Sequence, residues 1–300
     1  MPVCTVLVNY KNAELTIRCL HALEHGTIKP DRIYVVDNGT SSESQDIFKA
    51  EVFSLPIQFI WNERNIGFAP ACNLGATKAI KDGFHGYIWF LNNDTEPSEV
   101  ALEKLLEKAT ESHAGITGSL IVNEQNRYIG GVGLTHSKFA SVSRPSAPQR
   151  GNIPHFDYVE GSSFLISPDC IKTIGLLCED FFLYFEESDY CFRAKKAGFT
   201  LAWATESIVV HRIGSSTGSE TAKGKVPFFI DCLMIRNRIH FARRNNFPSI
   251  GIWIGFLISL ALRVKRLQFK RVLKIIEITI SSKRLKKFIE ENGGYYEIQD

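Results

Sequence analysis

Asp37 and Asp94 each follow a strand-like apolar run, and together they have the chemistry of a nucleotide site. Asp37 lies in VVDNGT and Asp94 lies in WFLNNDT. A lone acid after a strand is often only a turn former or a helix N-cap. Two acids at neighbouring strand ends, however, can converge on one crevice. Such a pair suits a nucleotide, with one carboxylate near the base or ribose and the other on a divalent metal at the phosphates.

The segment Cys178–Asp189 is a candidate source of a general base. Acidic residues at both ends flank a run of aromatic and apolar residues, so Glu186 and Glu187 would emerge from an apolar wall. Burial and like-charge repulsion would raise the pKa of one member of this pair, as a general base needs. The alternative is that both glutamates only favour the N-terminus of a helix.

Two further segments have features of an anion site and of a metal site. RNIGFAPACNLG, residues 64–75, combines a basic residue, an Asn-x-Gly turn and a helix start, which bring backbone N–H groups and positive charge together. It is not a P-loop, because GxxxxGK[ST] is absent. His211 follows a strand-like run in SIVVHRIGSST and could bind a metal at the same edge. The alternatives are an ordinary helix N-terminus and a structural histidine.

Strand-like runs alternate with helix-like segments over the first hundred residues. The predicted strands are Thr5–Tyr10, Arg32–Val36, Ile57–Trp61 and Tyr87–Leu91, and the predicted helices are Asn12–His25, Ser44–Phe53 and Ala69–Asp82. Near-continuous apolar strands that alternate with helices predict a mostly parallel sheet covered on both faces. Ligands bind at the carboxyl ends of strands in open α/β sheets, and here those ends are polar. The sequence therefore predicts the site at this edge.

The pattern changes in the second half of the chain. The predicted elements are a helix over Ser98–Ser112, strands over Ile116–Val122, Tyr128–Thr135, Tyr158–Ile166 and Leu201–Val210, a helix from Glu186 to a C-cap at Gly198, and a helix over Phe228–Arg244. The stretch Ser137–Pro154 is rich in proline and poor in large apolar residues, which predicts a mobile loop.

Composition limits the class of protein. The chain has 300 residues, of which 44% are hydrophobic and 22% charged, and these values exclude a wholly disordered, collagenous or disulfide-stapled chain. Its seven cysteines include no CxxC pair, so a zinc ribbon is not indicated. The N-terminus MPVCTVLVNY lacks the basic region of a secretory signal. We therefore expect a reducing, cytoplasmic compartment.

Charge is distributed unevenly along the chain. Residues 1–235 carry a formal charge of −6, whereas residues 236–289 carry 14 Lys and Arg against the single acid Glu277, or +13. The uncharged run Phe247–Leu262 is 16 residues long, short of the roughly 20 needed to span a bilayer. An apolar segment that contains Trp253 and is flanked by basic residues predicts a helix in the interface of an anionic membrane. The alternative is a buried C-terminal helix with a solvated basic face.

A nucleic-acid partner is not indicated, because no basic motif with interleaved aromatic residues is present.

Six segments, in their order and spacing, closely resemble the bacterial family 2 glycosyltransferases, and the most similar subgroup is the rhamnosyltransferase-like enzymes of polysaccharide and O-antigen assembly. The segments are VVDNGT, RNIGFAPACNLG, FLNNDT, EGSSFLI, EDFFLYFEESDYCFRAKKAGF and VVHRIGSST. The resemblance covers residues 3–245 and implies an α/β fold of the glycosyltransferase-A type, Rossmann-like with a mostly parallel central sheet. A helical, basic C-terminal extension would follow it.

We accordingly expect a catalytic domain over residues 1–225, with a nucleotide-binding half at about 1–115 and an acceptor half at about 116–225. Residues 226–300 would form a helical, membrane-associating region on the inner face of the cell membrane.

The resemblance also implies an activity. It is the inverting, metal-dependent transfer of rhamnose or a similar sugar from a dTDP- or UDP-sugar to a hydroxyl of a lipid-linked glycan precursor. Glu187 would be the catalytic base beside Glu186, and Asp189 would orient the acceptor. Asp94 would bind Mg²⁺ or Mn²⁺, with His211 closing the metal–diphosphate site. The nucleotide pocket would be formed by Asn9, Asp37, Arg64, Asn65, Gly67, Asn73, Asn92 and Asn93, with Gly161 and Ser162 on the acceptor side.

Two positions depart from the family pattern and keep two other classes open. Asn92 replaces the first Asp of the Asp-x-Asp metal motif, and Glu187 replaces the commoner Asp, which lengthens the side chain by one methylene. One alternative is a nucleotidyltransferase, which would be expected to have a Gly-rich, basic N-terminal loop that Thr5–Lys11 lacks. The other is a non-catalytic scaffold that binds a sugar nucleotide.

Overall fold

The computed structural model describes residues 1–149, 152–212 and 226–297, and most of its strands join one large twisted sheet. The strands of the large sheet are β1 (Val3–Asn9), β2 (Arg32–Asn38), β3 (Ile57–Asn62), β4 (Tyr87–Asn92), β5 (Thr95–Pro97), β6 (Ile116–Val122), β7 (Tyr128–Gly130), β11 (Ser163–Ile166) and β12 (Leu201–His211). A smaller sheet contains β8 (Val132–His136), β9 (Ser141–Ser143) and β10 (Tyr158–Val159).

The order of the large sheet is β3-β2-β1-β4-β11-β6-β12-β5, with β7 paired to β6. Strands β1 to β4 are parallel to one another, as the sequence predicts. Strand β11 is antiparallel to both of its neighbours, β4 and β6, so the second half of the sheet is mixed. This arrangement brings the carboxyl ends of β1 to β4 to one edge.

Helices cover both faces of the sheet, and further helices follow residue 226. They are α1 (Ala13–Glu24), α2 (Ser42–Ala50), α3 (Phe68–Lys81), α4 (Ala101–Glu111), α5 (Pro168–Ile174), α6 (Glu186–Lys196), α7 (Phe228–Arg244), α8 (Ser249–Lys265), α9 (Phe269–Ile280) and α10 (Ser282–Glu290). Alternate residues of β1 belong to two different cores because strand side chains point to opposite faces. Val6 and Val8 pack with α3, and Val3 and Leu7 pack with α1 and α4.

Two predicted strands are wrong as single strands, because each is interrupted. Tyr128–Thr135 breaks at Gly131, which has a φ of +120° and approaches β6 so closely that an added Cβ would lie 2.2 Å from the Ser119 carbonyl oxygen. Tyr158–Ile166 divides into β10 and β11, and residues 160–162 leave the ladder to face the predicted site.

Two other predictions also need correction. Ser137–Pro154 is not all loop, since it contains β9, where Val142 pairs with Thr135 of β8; residues 150–151 lie outside the described residues. Helix α6 ends at Lys196, with Ala197 rather than Gly198 as its C-cap. The short helix α5 was not predicted from the sequence.

Helix α7 is part of the protein core and packs directly on the aromatic segment before α6. Phe181, Phe185 and Phe241 form one buried cluster. Asn237 of α7 donates hydrogen bonds to the backbone carbonyls of Leu183, at 2.8 Å, and Tyr184, at 3.3 Å. Helix α7 therefore fixes the backbone that leads into Glu186 and Glu187. Among the described residues, no helix has the length and apolar character needed to cross a membrane.

Candidate active site

A cavity of about 860 Å³ opens at the carboxyl ends of the central strands. Ten residues predicted from the sequence line it: Asn65, Gly67, Asn92, Asn93, Asp94, Gly161, Ser162, Glu186, Glu187 and His211. The carboxylate predicted to bind metal and the carboxylate predicted to act as a base therefore face the same volume. Five other predicted residues do not line it: Asn9, Asp37, Arg64, Asn73 and Asp189.

Asn9 and Asp37 form a buried support beneath the cavity. They lie opposite each other in the β1–β2 ladder, and Asn9 Nδ2 donates to Asp37 Oδ1 at 2.7 Å. The second carboxylate oxygen of Asp37 accepts from Ser44 Oγ at 2.6 Å. Asn9 Oδ1 in turn accepts from Asn93 Nδ2 at 3.3 Å, and Thr16 Oγ1 accepts from the same amide at 2.9 Å. This network orients Asn93, which does reach the cavity.

Asn38, which the sequence analysis missed, organises the loop before α3. Its Nδ2 donates to Asn65 Oδ1 and to the Gly67 carbonyl, both at 3.0 Å, and its Oδ1 accepts from Ile66 N at 3.0 Å. Gly67 begins α3 with a φ of +94°, and an added Cβ would lie 2.4 Å from the Phe182 carbonyl oxygen. Only glycine fits such a position without strain. Asn38 could have been found from the sequence, because it directly follows the predicted Asp37 in VVDNGT.

The C-terminal segment covers the loop that contains Arg64. The Arg64 guanidinium lies over the Tyr295 ring, 4.7 Å from its centroid, and Tyr295 N donates to the Asn65 carbonyl at 2.6 Å. Arg64 is exposed beside the cavity. Asn73 instead binds the backbone of Leu177, donating to its carbonyl at 2.9 Å and accepting from its N–H at 3.0 Å. No sequence signal pointed to Tyr295.

Asp94 and His211 meet because β5 pairs antiparallel with β12, which places Thr95 opposite His211. His211 Nε2 lies 3.0 Å from Asp94 Oδ1, and both side chains are largely buried. The neighbouring Arg212 donates from Nε to Glu96 Oε1 at 2.8 Å. Its positive charge is therefore directed partly toward another carboxylate.

These two side chains suit a divalent metal shared with a diphosphate. In residues 1–149, 152–212 and 226–297, no group of three or more His, Cys, Asp and Glu could hold a metal by itself. Asp94 supplies a carboxylate oxygen and His211 an imidazole nitrogen. Magnesium sites next to substrate phosphates commonly have one or two protein carboxylates and complete their shell with phosphate oxygens and water. The donor set fits that arrangement and does not fit a metal cage made by protein alone.

Glu186 and Glu187 begin α6 after two residues with left-handed backbone. Tyr184 has a φ of +71° and Phe185 a φ of +77°, which is rare for bulky residues and occurs where the surroundings enforce it. The Oε2 atoms of Glu186 and Glu187 are buried and have no hydrogen-bond partner in the described part of the chain. Unpaired buried carboxyl oxygens at a cavity are available to a ligand.

Both glutamates have raised pKa values. Burial, and then the charge of Glu187, raise the pKa of Glu186 well above its usual range. Burial, and then the charge of Glu160, raise the pKa of Glu187 to about 7. Because both carboxyls are buried side by side, the loss of both protons is disfavoured, and the pair titrates as a unit. Glu187, with its pKa raised to about 7, is the candidate for gaining and losing a proton near neutral pH.

Glu160 is a second site residue that the sequence analysis did not select. It lines the cavity, accepts from Gly131 N at 2.8 Å and accepts from Arg144 Nε at 3.0 Å. Glu160 could have been selected from the sequence, because it directly precedes the predicted Gly161 in EGSSFLI. Its charge disfavours the ionised form of Glu187, so it tunes the predicted base.

Asp189 is buried on the side of α6 that faces α7. Its oxygens accept from Arg193 Nε at 3.0 Å, Arg244 Nε at 3.1 Å and Asn245 Nδ2 at 3.1 Å. The structure thus places Asp189 at the interface of α6 with α7 and away from the cavity.

Solved structures with this fold include transferases crystallised with nucleotides. GalNAc-T7 with UDP, GalNAc and Mn²⁺ superposes with a TM-score of 0.59 at 16% identity, over 89% of this chain and 57% of that one. The mannosyltransferase PcManGT of Pyrobaculum calidifontis, with GDP-Man and Mn²⁺, gives 0.56 at 12% identity, over 97% and 86%. S. aureus TarS 1-349 with UDP-GlcNAc gives 0.54 at 12% identity, over 97% and 81%. At these identities the likeness establishes the glycosyltransferase-A-like fold.

Sequence comparison identifies the family. The chain is 25% identical over 214 residues to the low-salt glycan biosynthesis hexosyltransferase Agl10 of Haloferax volcanii. That match covers 69% of this chain and 66% of the relative, just under two thirds of the relative's length. The sequence model described as Glycosyl transferase family 2 matches residues 4–173. Since this match covers more than half of the chain, the protein belongs to glycosyl transferase family 2.

Proposed function

We propose that the protein transfers a sugar, rhamnose or a similar hexose, from a dTDP- or UDP-sugar to a hydroxyl of a cell-surface glycan precursor, with inversion. The observation that carries the proposal is the shared cavity, which Asp94 and Glu187 both line. The metal-binding pair lies at the strand ends, and the carboxylate with the raised pKa lies at the start of α6. A sugar bound between them would have its leaving group at one side and the attacking hydroxyl at the other.

Glu187 is the residue proposed to accept the proton of the attacking hydroxyl. With a pKa of about 7, Glu187 is basic enough to accept a proton and is still largely ionised slightly above neutral pH. A positioned base contributes roughly 10²–10⁴ in rate. Burial raises the pKa of Glu186, which disfavours a second negative charge beside Glu187. Attack opposite the leaving diphosphate inverts the anomeric carbon in one step.

The residues around Asp94 would bind the donor. A divalent cation, Mg²⁺ or Mn²⁺, would supply Lewis-acid neutralisation of the departing diphosphate when bound there. Asp94 and His211 would hold it, while Asn65, Gly67 and Asn93 contact the rest of the nucleotide. The exposed guanidinium of Arg64, oriented by Tyr295, adds positive charge next to the same pocket.

An apolar part of the cavity lining favours a lipid-linked acceptor. Phe182, Leu183, Phe229, Ile230 and Met234 line it with apolar side chains, and the last three belong to α7. A free sugar would gain little from such a wall, whereas the first carbons of a polyprenyl chain would be removed from water. We propose that the protein works on such an acceptor at the cytoplasmic face of the cell membrane.

A panel of nucleotide sugars tests the donor site. Thermal unfolding would be followed with dTDP-rhamnose, UDP-glucose, UDP-galactofuranose and GDP-mannose, each with and without Mn²⁺. The proposal expects a dTDP- or UDP-sugar to raise the Tm in a Mn²⁺-dependent way. If every nucleotide sugar leaves the Tm unchanged, the proposed function is wrong.

A further inference from the structure

Helix α8 exposes an apolar stripe along its whole length. The exposed side chains are Ile250, Trp253, Ile254, Leu257, Ile258 and Leu262. Their spacing of three and four residues places them on one face of the helix. Leu257, near the middle of the stripe, is 60% exposed. In a water-soluble helix this outer face would normally be polar.

Helix α9 has a second stripe of the same kind. Phe269, Leu273, Ile276 and Ile280 are exposed at spacings of four, three and four residues, and Leu273 is 69% exposed. We call the two stripes together the outer apolar face. The opposite face of α9 is buried, with Ile275 and Ile278 in the same core as α7. The exposed apolar residues are thus additional to the core-facing ones.

Buried polar contacts fix the orientation of both helices. Asp231 of α7 pairs with Arg263 of α8, whose Nε lies at 3.0 Å, and with Arg271 of α9 at 2.9 Å. Arg238 of α7 donates to Ser259 Oγ of α8 at 2.6 Å. Because these contacts hold the inner faces on α7, neither helix can turn its apolar stripe inward without leaving partly buried charges unpaired.

Basic side chains border the outer apolar face at the turn between α8 and α9. Lys265 and Arg266 at the end of α8 and Lys270 at the start of α9 are exposed. Within the part of the chain that the structure describes, none of the three forms an ion pair. Arg243 lies 5.8 Å from the ring centroid of Trp253, which is itself 54% exposed. We call Lys265, Arg266 and Lys270 the basic rim, which is cationic while the centre of the face is apolar.

We propose that the outer apolar face docks on the surface of an anionic lipid bilayer. Apolar side chains would enter the boundary between headgroups and acyl chains, Trp253 would lie at headgroup depth, and the basic rim would contact lipid phosphates. A second copy of this chain fits less well, because a two-fold contact sets each patch against itself and would bring the cationic rims together. Clustered exposed apolar side chains such as these mark an interaction site.

The position of α7 connects this surface with the cavity. Ile230 and Met234 line the cavity, while Leu233 and Ile239 lie in the core shared with α8 and α9. One helix thus separates the docking surface from the cavity. The docking proposal itself does not depend on sugar transfer, and its test measures lipid binding alone.

Vesicle flotation of the full chain tests the proposal. Wild type is expected to float with phosphatidylcholine vesicles that contain phosphatidylglycerol and to detach at high salt, because salt screens exposed charges. The double variant Leu257→Glu with Leu273→Glu should bind at least about tenfold more weakly, since each charge would enter the apolar boundary. The matched control is Val52→Glu, which changes another apolar residue that is 89% exposed and lies outside the patch. It should float like wild type.

A charge variant separates the contribution of the basic rim to vesicle binding from that of the apolar centre. Replacing Lys265, Arg266 and Lys270 by Gln should weaken binding to anionic vesicles by on the order of 10²-fold, at roughly fivefold per charge. Trp253 emission should shift to the blue on binding, and Trp253→Phe should remove that shift while flotation persists. Equal unfolding temperatures of all variants show that the fold is retained.

Two outcomes overturn the proposal: wild type does not float, or the double glutamate variant floats as well as wild type. If wild type does not float and instead forms a concentration-dependent dimer in vesicle-free buffer that the double variant abolishes, the face is assigned to a second copy.

Discussion

His211 Nε2 lies 3.0 Å from Asp94 Oδ1, although the two residues are separated by 117 positions in the chain. The contact depends on the antiparallel pairing of β5 with β12, in which Thr95 lies opposite His211. Asn92, the last residue of β4, and Asn93, which follows it, line the cavity next to Asp94. A short strand pairing therefore assembles the part of the site that we propose to bind the metal and diphosphate.

Asp94→Asn should abolish metal-dependent donor binding without unfolding the protein. The amide is almost the same size as the carboxylate but lacks its charge. Mutation of a residue that only hydrogen-bonds to a metal ligand typically lowers metal affinity or activity by 10–100-fold. Loss of the ligand itself should therefore lower the transfer rate at least about 10²-fold. The measurement is the Mn²⁺-dependent rise in Tm caused by UDP.

Glu96→Gln is the matched control for this change. Glu96 lies in β5, pairs with Arg212 and does not line the cavity. It should retain the metal-dependent shift. An unaltered shift in Asp94→Asn would remove Asp94 from the metal site.

The pH dependence of kcat/KM should report the raised pKa of Glu187. The base must be ionised to accept a proton, so activity should rise with pH through about 7. Glu160→Gln removes a neighbouring negative charge, which lowers the pKa of Glu187 and should move the midpoint down by roughly half a unit to one unit. Glu107→Gln, at an exposed position on α4, should leave the midpoint unchanged. A midpoint that Glu160→Gln does not move would contradict the assignment of Glu187.

Gly67→Ala tests the contact between the loop before α3, which we propose to bind the nucleotide, and the segment that precedes Glu187. The alanine Cβ would lie 2.4 Å from the Phe182 carbonyl at a φ of +94°. Gly83→Ala is the control, since Gly83 has a φ of +78° but no atom within 4 Å of an added Cβ. Backbone strain alone costs on the order of 1 kcal/mol of unfolding free energy, so Gly83→Ala should lose about that much. Gly67→Ala should lose clearly more and also weaken UDP binding. Equal losses in urea unfolding would show that the close approach is unimportant.

Tyr295→Ala should weaken nucleotide binding through Arg64. A cation–π contact at an exposed site is worth about 0.5–1 kcal/mol, which corresponds to roughly two- to fivefold in the Kd for UDP. Tyr295→Phe keeps the ring over the guanidinium and should bind like wild type. Calorimetric titration with UDP measures both. If Tyr295→Ala binds UDP as tightly as wild type, the C-terminal segment does not contribute to the donor site.

The strands that carry the site could be predicted because their signal is local. Apolar runs followed by polar residues gave β1 to β4 within a few residues, and a shared edge follows from parallel pairing. The direction in which a side chain points at a strand end could not be predicted in this way. Asp37 lies near the end of β2 and Asn93 directly follows β4, yet Asp37 supports the cavity floor and Asn93 lines the cavity.

The parts that could not be predicted depend on contacts distant in sequence. Asp189 is an acid close to the predicted base in the sequence, but Arg244 and Asn245 at the end of α7 bind it in the interior. Tyr295 reaches Arg64 only because α10 returns the chain to the sheet edge. The predicted boundary between residues 225 and 226 stays a prediction, and residues 213–225 lie outside the described residues.

Turnover by Glu187→Gln, measured beside its binding of the nucleotide sugar, tests the central claim most directly. Gln keeps the size of the side chain but cannot accept a proton as the carboxylate does. The account predicts that the variant retains the Mn²⁺-dependent thermal shift of wild type and loses transfer by roughly 10²-fold or more. Transfer at the wild-type rate with intact donor binding would contradict it.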